Sequence, residues 1–197
     1  MPLQHHHSMS VFTALLFALG SQHDPSRDAP LPAQASADTT RRFPRVEGAN
    51  LEGRRFNLPA DFEGKYNVVL IAFHREQQND VDTWLPFLRP LAAPEGNVRV
   101  YELPTLSRGY RFMRRFIDGG MARGIPERAT RETTITLYID KAPFKNVLGI
   151  ANEDSICTLL VGRDGAVLWR ADGRFTPDAG SALTAALDSL EAHKASP

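Results

Sequence analysis

Apolar residues are clustered unevenly along the chain. Val68 to Phe73 is an unbroken apolar run with the length and β-branched content of a strand buried on both faces. The polar stretch His74 to Asp80 follows, and then Val81, Trp84, Leu85 and Leu88 recur at helical spacing. Asn79 or Asp80 is suited to cap that helix, because a short side-chain oxygen can accept an unpaired N–H of the first turn. A buried strand that passes through a polar loop into a helix is where α/β proteins commonly place their chemistry.

The rest of the chain is arranged around this unit. Upstream, Phe43 to Phe62 sets Gly48, Gly53 and Pro59 between short apolar points, Val46 and Leu51 and then Arg55 to Pro59, and predicts a small hairpin or irregular lead-in that Gly64 ends. Downstream, Asn97 to Leu103 alternates and predicts a second strand. Tyr110, Phe112, Met113, Phe116 and Ile117 follow at helical spacing, with Gly119-Gly120 as the expected stop. Thr133 to Ile139 is β-branched and predicts a third strand, and Pro143 to Leu148 a short helix closed by Gly149. Ile156 to Val161 and Ala166 to Arg170 flank Asp164-Gly165, a hairpin signal because such a turn needs positive φ. Thr176 or Asp178 would cap a last helix with an apolar stripe of Leu183, Ala186, Leu187 and Leu190.

A parallel β-α-β half followed by an antiparallel hairpin and a helix is the thioredoxin arrangement. The expected class is therefore α/β: a thioredoxin-like three-layer fold with a mixed central sheet, a helical insertion at 106–140, and a C-terminal β-hairpin plus helix. The domain is expected at 43–194. Residues 21–42, rich in Pro, Ala, Ser, Asp and Thr without apolar periodicity, predict a disordered linker. Residues 1–20 predict a leader: Val11 to Leu19 matches the apolar region of a secretory signal peptide and is shorter than the ~20 residues that span a bilayer. No Lys or Arg precedes it, which departs from the usual signal pattern. The expected location is exported, periplasmic or membrane-associated.

Charge changes the picture only locally. Lys plus Arg and Asp plus Glu both number 23, so net charge offers no argument for nucleic acid. Residues 108–131, however, hold seven arginines against Asp118 and Glu127. Arg108, Arg111, Arg114 and Arg115 interleave with Tyr110, Phe112, Met113 and Phe116. This predicts a basic amphipathic helix able to meet an acidic partner or an anionic membrane surface.

One family fits particular residues. Leu148-Gly149-Ile150-Ala151-Asn152, then Leu159 to Trp169 with Asp164-Gly165 at the turn, resembles the thioredoxin-like assembly factors of mitochondrial F-type ATP synthase and their bacterial relatives. Asp82 and Trp84 after the central strand and Arg123-Gly124-Ile125-Pro126 in the insertion add to the resemblance, which runs over about residues 43–180. Leu168 stands where the family carries Arg, and Ala171 where it carries Gly. The resemblance implies a role in assembling a membrane complex, with a protein partner and no thiol catalysis.

The chemistry-bearing positions agree with that implication. A thioredoxin-type enzyme would carry Cys-x-x-Cys after the central strand; here the loop reads His74-Arg75-Glu76-Gln77-Gln78. Thiol exchange needs a thiolate at an exposed helix start, and the single cysteine, Cys157, falls inside an apolar strand. His74, Glu76 and Asp80 are metal-capable residue types, but a site needs three or four converging ligands and no second histidine accompanies them. We therefore expect no catalytic residues, cofactor or metal, and assign His74, Glu76, Gln77 and Gln78 to partner contact. The competing expectation is a degenerate peroxiredoxin- or thioredoxin-like oxidoreductase.

Overall fold

The computed structural model describes residues 34–36, 41–92 and 97–195. Its eight strands form one mixed sheet. They are β1 (Gln34–Ser36), β2 (Val46–Asn50), β3 (Arg55–Leu58), β4 (Tyr66–Ala72), β5 (Val98–Ser107), β6 (Ile135–Ile139), β7 (Cys157–Gly162) and β8 (Val167–Asp172), in the order β1-β8-β7-β4-β5-β6-β2-β3. β4 pairs in parallel with β5 and β5 with β6, while β7 runs antiparallel to β4 and β8 antiparallel to β7. The helices are α1 (Gln78–Leu91), α2 (Arg114–Gly124), α3 (Arg128–Thr133), α4 (Lys141–Leu148) and α5 (Pro177–Ala195).

The strand pleat divides β4 between two cores, because successive side chains point to opposite faces. Val69 and Ile71 enter a core with Phe43, Phe56, Phe62, Tyr101, Leu137, Phe144 and Leu148. Val68 and Leu70 enter the other, where α1 contributes Val81, Trp84 and Leu88 and α5 contributes Leu183 and Leu187. β4 is thus buried on both faces, as its composition predicts. Trp84, fully buried, meets Trp169 and Phe175 edge-on at 6.2 and 5.3 Å, and its Nε1 donates to the Gly173 carbonyl at 3.0 Å.

Several expectations need correction. Neither Asn79 nor Asp80 caps α1. A 3₁₀ turn, Arg75–Gln77, feeds into the helix directly, so both residues lie within its first turn. Gly119-Gly120 does not end α2, which runs on to Gly124. The helical part of the insertion is narrower than 106–140: β5 continues to Ser107 and β6 occupies Ile135–Ile139. Within the expected linker, Gln34–Ser36 pairs antiparallel with Asp172–Arg170 of β8, whose outer edge would otherwise offer unpaired backbone groups. Most of 21–42, and the leader at 1–20, lie outside the described residues.

Other expectations hold. Gly149 closes α4 at φ +67°, and Thr176 Oγ1 accepts from the Ala179 N–H in the first turn of α5. The lead-in is a hairpin, β2–β3, but it also joins the main sheet through β6. That junction requires Gly48, since a Cβ there would lie 2.7 Å from the side chains of Ile135 and Leu137.

Candidate functional site

Two surfaces carry the residues singled out from sequence. The first is the C-terminal end of β4. Gln77 is buried, and its Oε1 accepts from the N–H groups of Phe73 and His74 at 2.8 and 3.2 Å. Its Nε2 donates to the Glu153 carbonyl at 2.6 Å. Gln77 therefore ties the strand end to the loop before β7 and does not face a partner, which corrects its assignment. Gln78 is also committed internally, donating to Asp82 Oδ1 at 2.9 Å. His74 and Glu76 remain exposed.

Glu153, which carries no sequence signal, organises this end. Its carboxylate meets Lys141 and Lys145, the latter at 2.9 Å, and His74 Nε2 lies 3.7 Å away. Burial works to raise the Glu153 carboxyl, but hydrogen bonds from the two lysines outweigh it and hold the group below the ordinary carboxylate value. Among the described residues, no three His, Cys, Asp or Glu side chains gather as metal ligands would. Cys157 begins β7 with 1% exposure, and burial, together with the charge of Asp172, pushes its thiol well above the usual value. The thiolate needed for exchange is disfavoured there.

The second surface is the insertion. The four arginines do not share one helix. Arg108 and Arg111 lie in a 3₁₀ turn, Arg108–Met113, and Arg114 and Arg115 open α2. No residue of either segment is buried, so the apolar side of this sequence does not pack into a core. Tyr110 and Phe116 are each 51% exposed and Phe112 is 85% exposed. The segment is anchored through Asp118, which accepts from Tyr138 Oη at 2.8 Å and from Arg114 Nε at 3.2 Å. Burial, with the hydrogen bond to Asp118, pushes the Tyr138 phenol upward.

Below the insertion runs a groove of about 450 Å³, lined by residues that include Arg55, Asn57, Arg108, Arg111, Arg114, Thr136 and Tyr138. Ile135 and Leu137 point into the first core, so Thr136 and Tyr138 emerge on the opposite face of β6. By the same alternation Arg55 and Asn57 leave β3 on that face while Phe56 and Leu58 are buried. The alternating β6 sequence contains this signal. The approach of β3 to the insertion is a long-range pairing that sequence reading missed. Arg115 does not line the groove.

One buried acid belongs to neither surface. Glu102 on β5 lies beneath α1, 9% exposed, beside Gln78 and Asp82. Burial, then the charge of Asp82, pushes its carboxyl up to about 7, against the opposing hydrogen bond from Gln78 and the charge of Arg89.

Compared with solved structures, the chain is similar to BsSco, described as a member of the Sco family of cytochrome c oxidase assembly proteins with a disulfide switch. Identity is 15%, the match covers 77% of this chain and 96% of that one, and the TM-score is 0.53. The fold is thioredoxin-like. Two further thioredoxin-like chains are the thioredoxin domain of a thiol-disulfide oxidoreductase from Bacteroides vulgatus and a DsbE-type thiol:disulfide interchange protein from Chlorobium tepidum. The first is 22% identical over 76% of this chain and 97% of that one, with a TM-score of 0.48. The second is 15% identical over 78% and 98%, with a TM-score of 0.47. No protein-family model and no curated protein matches the chain.

Within the thioredoxin-like frame, the residues of the family resemblance hold local structure. Leu148 and Ile150 are buried, Asn152 Oδ1 accepts from the Asp154 N–H, and Asp164 Oδ1 accepts from the Ala166 N–H. Gly165 turns the hairpin at φ +85°, and Trp84 and Trp169 fill the second core. Their positions explain the hairpin and the helix end.

Proposed function

We propose that the chain is a binding protein without thiol catalysis that assists assembly of a membrane protein complex, as its resemblance to ATP-synthase assembly factors implies. The observation that carries this reading is the strand end. Where a thiol would have to face solvent, the side chain of Gln77 joins Phe73, His74 and Glu153 through their backbones, while Cys157 is sealed within β7. Partner contact falls to exposed groups: His74 and Glu76 at the strand end, and Tyr110, Phe112 and Phe116 on the insertion. Exposed aromatics with nearby arginines have the composition of binding hot spots. The site of action is at or beyond a membrane, reached through the leader at 1–20.

The test has two arms. Purified protein is assayed for insulin-disulfide reduction and peroxide consumption, and tagged protein is used to recover partners from native membranes. We expect background turnover, and recovery of a membrane-complex subunit that is lost with Phe112→Ser. Turnover abolished by Cys157→Ala would reject this reading in favour of an oxidoreductase.

A further inference from the structure

The geometry points to a phosphate-binding groove between the insertion and the β6-β2-β3 end of the sheet, taking the headgroup of an anionic phospholipid. The 3₁₀ turn at Arg108–Met113 is what aligns the cations. Side chains three residues apart eclipse in such a turn, so Arg108, Arg111 and then Arg114 form one row, and all three line the groove. Arg55 faces them from β3. Arg114 is paired with Asp118, but among the described residues Arg55, Arg108 and Arg111 have no ion-pair partner.

Two carboxylates, Glu47 and Asp140, also line the groove. Asp140 Oδ1 is engaged at the start of α4, where it accepts from the Ala142 N–H at 3.2 Å. The guanidinium groups still outnumber the acids, and their planar forks suit phosphate oxygens. At the floor, Thr136 is 1% exposed and its Oγ1 has no hydrogen-bond partner among the described residues, so a polar group buried against this face lacks a counterpart. A volume of about 450 Å³ accepts a headgroup.

The aromatics select a lipid as the source of the phosphate. Tyr110 and Phe112 lie off the arginine row on the same turn, and Phe116 follows on α2; all three are exposed. Aromatic rings favour the depth just below lipid phosphates, so one segment can seat a headgroup and immerse its rings beside it. The inference rests on the proposed function only in placing the protein at a membrane.

The test uses the full chain and flotation with phosphatidylcholine vesicles, with and without phosphatidylglycerol. We expect binding only to the anionic vesicles. Arg108→Gln with Arg111→Gln should weaken it by about thirtyfold, at the usual contribution of one arginine near an anionic surface. Arg45→Gln with Arg163→Gln, an equal charge change at exposed positions outside the groove and the insertion, should weaken it less than about threefold. Circular dichroism confirms that both pairs fold. Equal losses in the two pairs would reduce the site to diffuse basic charge and overturn the inference, as would no vesicle binding at all. Saturable NMR shifts of the groove arginines with glycerol 3-phosphate, without vesicle binding, would transfer the site to a soluble phosphate ester. Stronger competition by a polyglutamate peptide than by glycerol 3-phosphate would replace the lipid by an acidic polypeptide. Purified protein suffices throughout, so failure of the assembly reading leaves these outcomes interpretable.

Discussion

Replacing Glu102 by Gln should stabilise the protein at high pH and leave it nearly unchanged at low pH. The folded carboxyl is displaced from 4.5 to about 7, chiefly by burial under α1 and then by the charge of Asp82. At 1.36 kcal/mol per pKa unit that displacement corresponds to about 3 kcal/mol. Because the folded chain binds this proton more tightly than the unfolded chain, ionising it opposes folding. The wild type should therefore lose stability as pH rises from about 4.5 to about 7, and the loss should level off above that window. Gln has nearly the same shape and stays neutral beside Gln78 and Asp82. Urea unfolding of both proteins from pH 4 to pH 8.5 isolates the effect, since every other titrating group is common to the pair. Near pH 4 the curves should coincide within a few tenths of a kcal/mol, and at pH 8 the variant should be more stable by about 3 kcal/mol. Asp82→Asn should shift the wild-type transition to lower pH, because it removes a neighbouring negative charge. A difference that stays constant across the range, or a variant weaker at pH 8, would show that Glu102 is solvated or paired and would refute the reasoning.

Three other outcomes follow from the same contacts. Trp84→Ala should cost about 3–5 kcal/mol in chemical denaturation, since it empties a fully buried site between Trp169 and Phe175 and leaves the Gly173 carbonyl without its donor. Gln77→Ala should cost about 2–3 kcal/mol, because two backbone N–H groups and the Glu153 carbonyl lose their partner; an unchanged unfolding midpoint would count against this. Cys157 should resist an aromatic disulfide reagent in the folded protein and react fully in denaturant, and rapid labelling under native conditions would contradict its burial.

What could be read from the chain alone was whatever a local period records. The apolar run of β4, the stripe on α1 and the Asp164-Gly165 turn each specify their element within a few residues. The 3₁₀ turn at Arg108–Met113 was not distinguishable from an α-helix, because a spacing of three residues brings side chains to one face in both. Gly119-Gly120 reads as a stop by propensity, yet Asp118 fastens that part of α2 to Tyr138 and the helix continues. Glu102 shares its face of β5 with Val98 and Val100, and the placement of α1 over that face makes it a buried acid. The groove was hidden for a similar reason: Arg55 and Arg108 are joined by strand pairing from β3 through β2 and β6 to β5, which ends just before Arg108, and that pairing leaves no mark in local sequence.

The tether of Tyr138 to Asp118 has a consequence for motion. The stretch from Arg108 to Gly124 contributes no buried side chain, so little free energy resists its separation from the sheet. Segments of this kind open by themselves, at a fraction of the cost of unfolding the whole domain. Amide hydrogens of α2 should therefore exchange long before those of β4 or β7. Whatever seats between Arg55 and Arg108 would clamp the two walls together and slow that exchange, so occupancy could be read as a gain in rigidity at residues the ligand never touches.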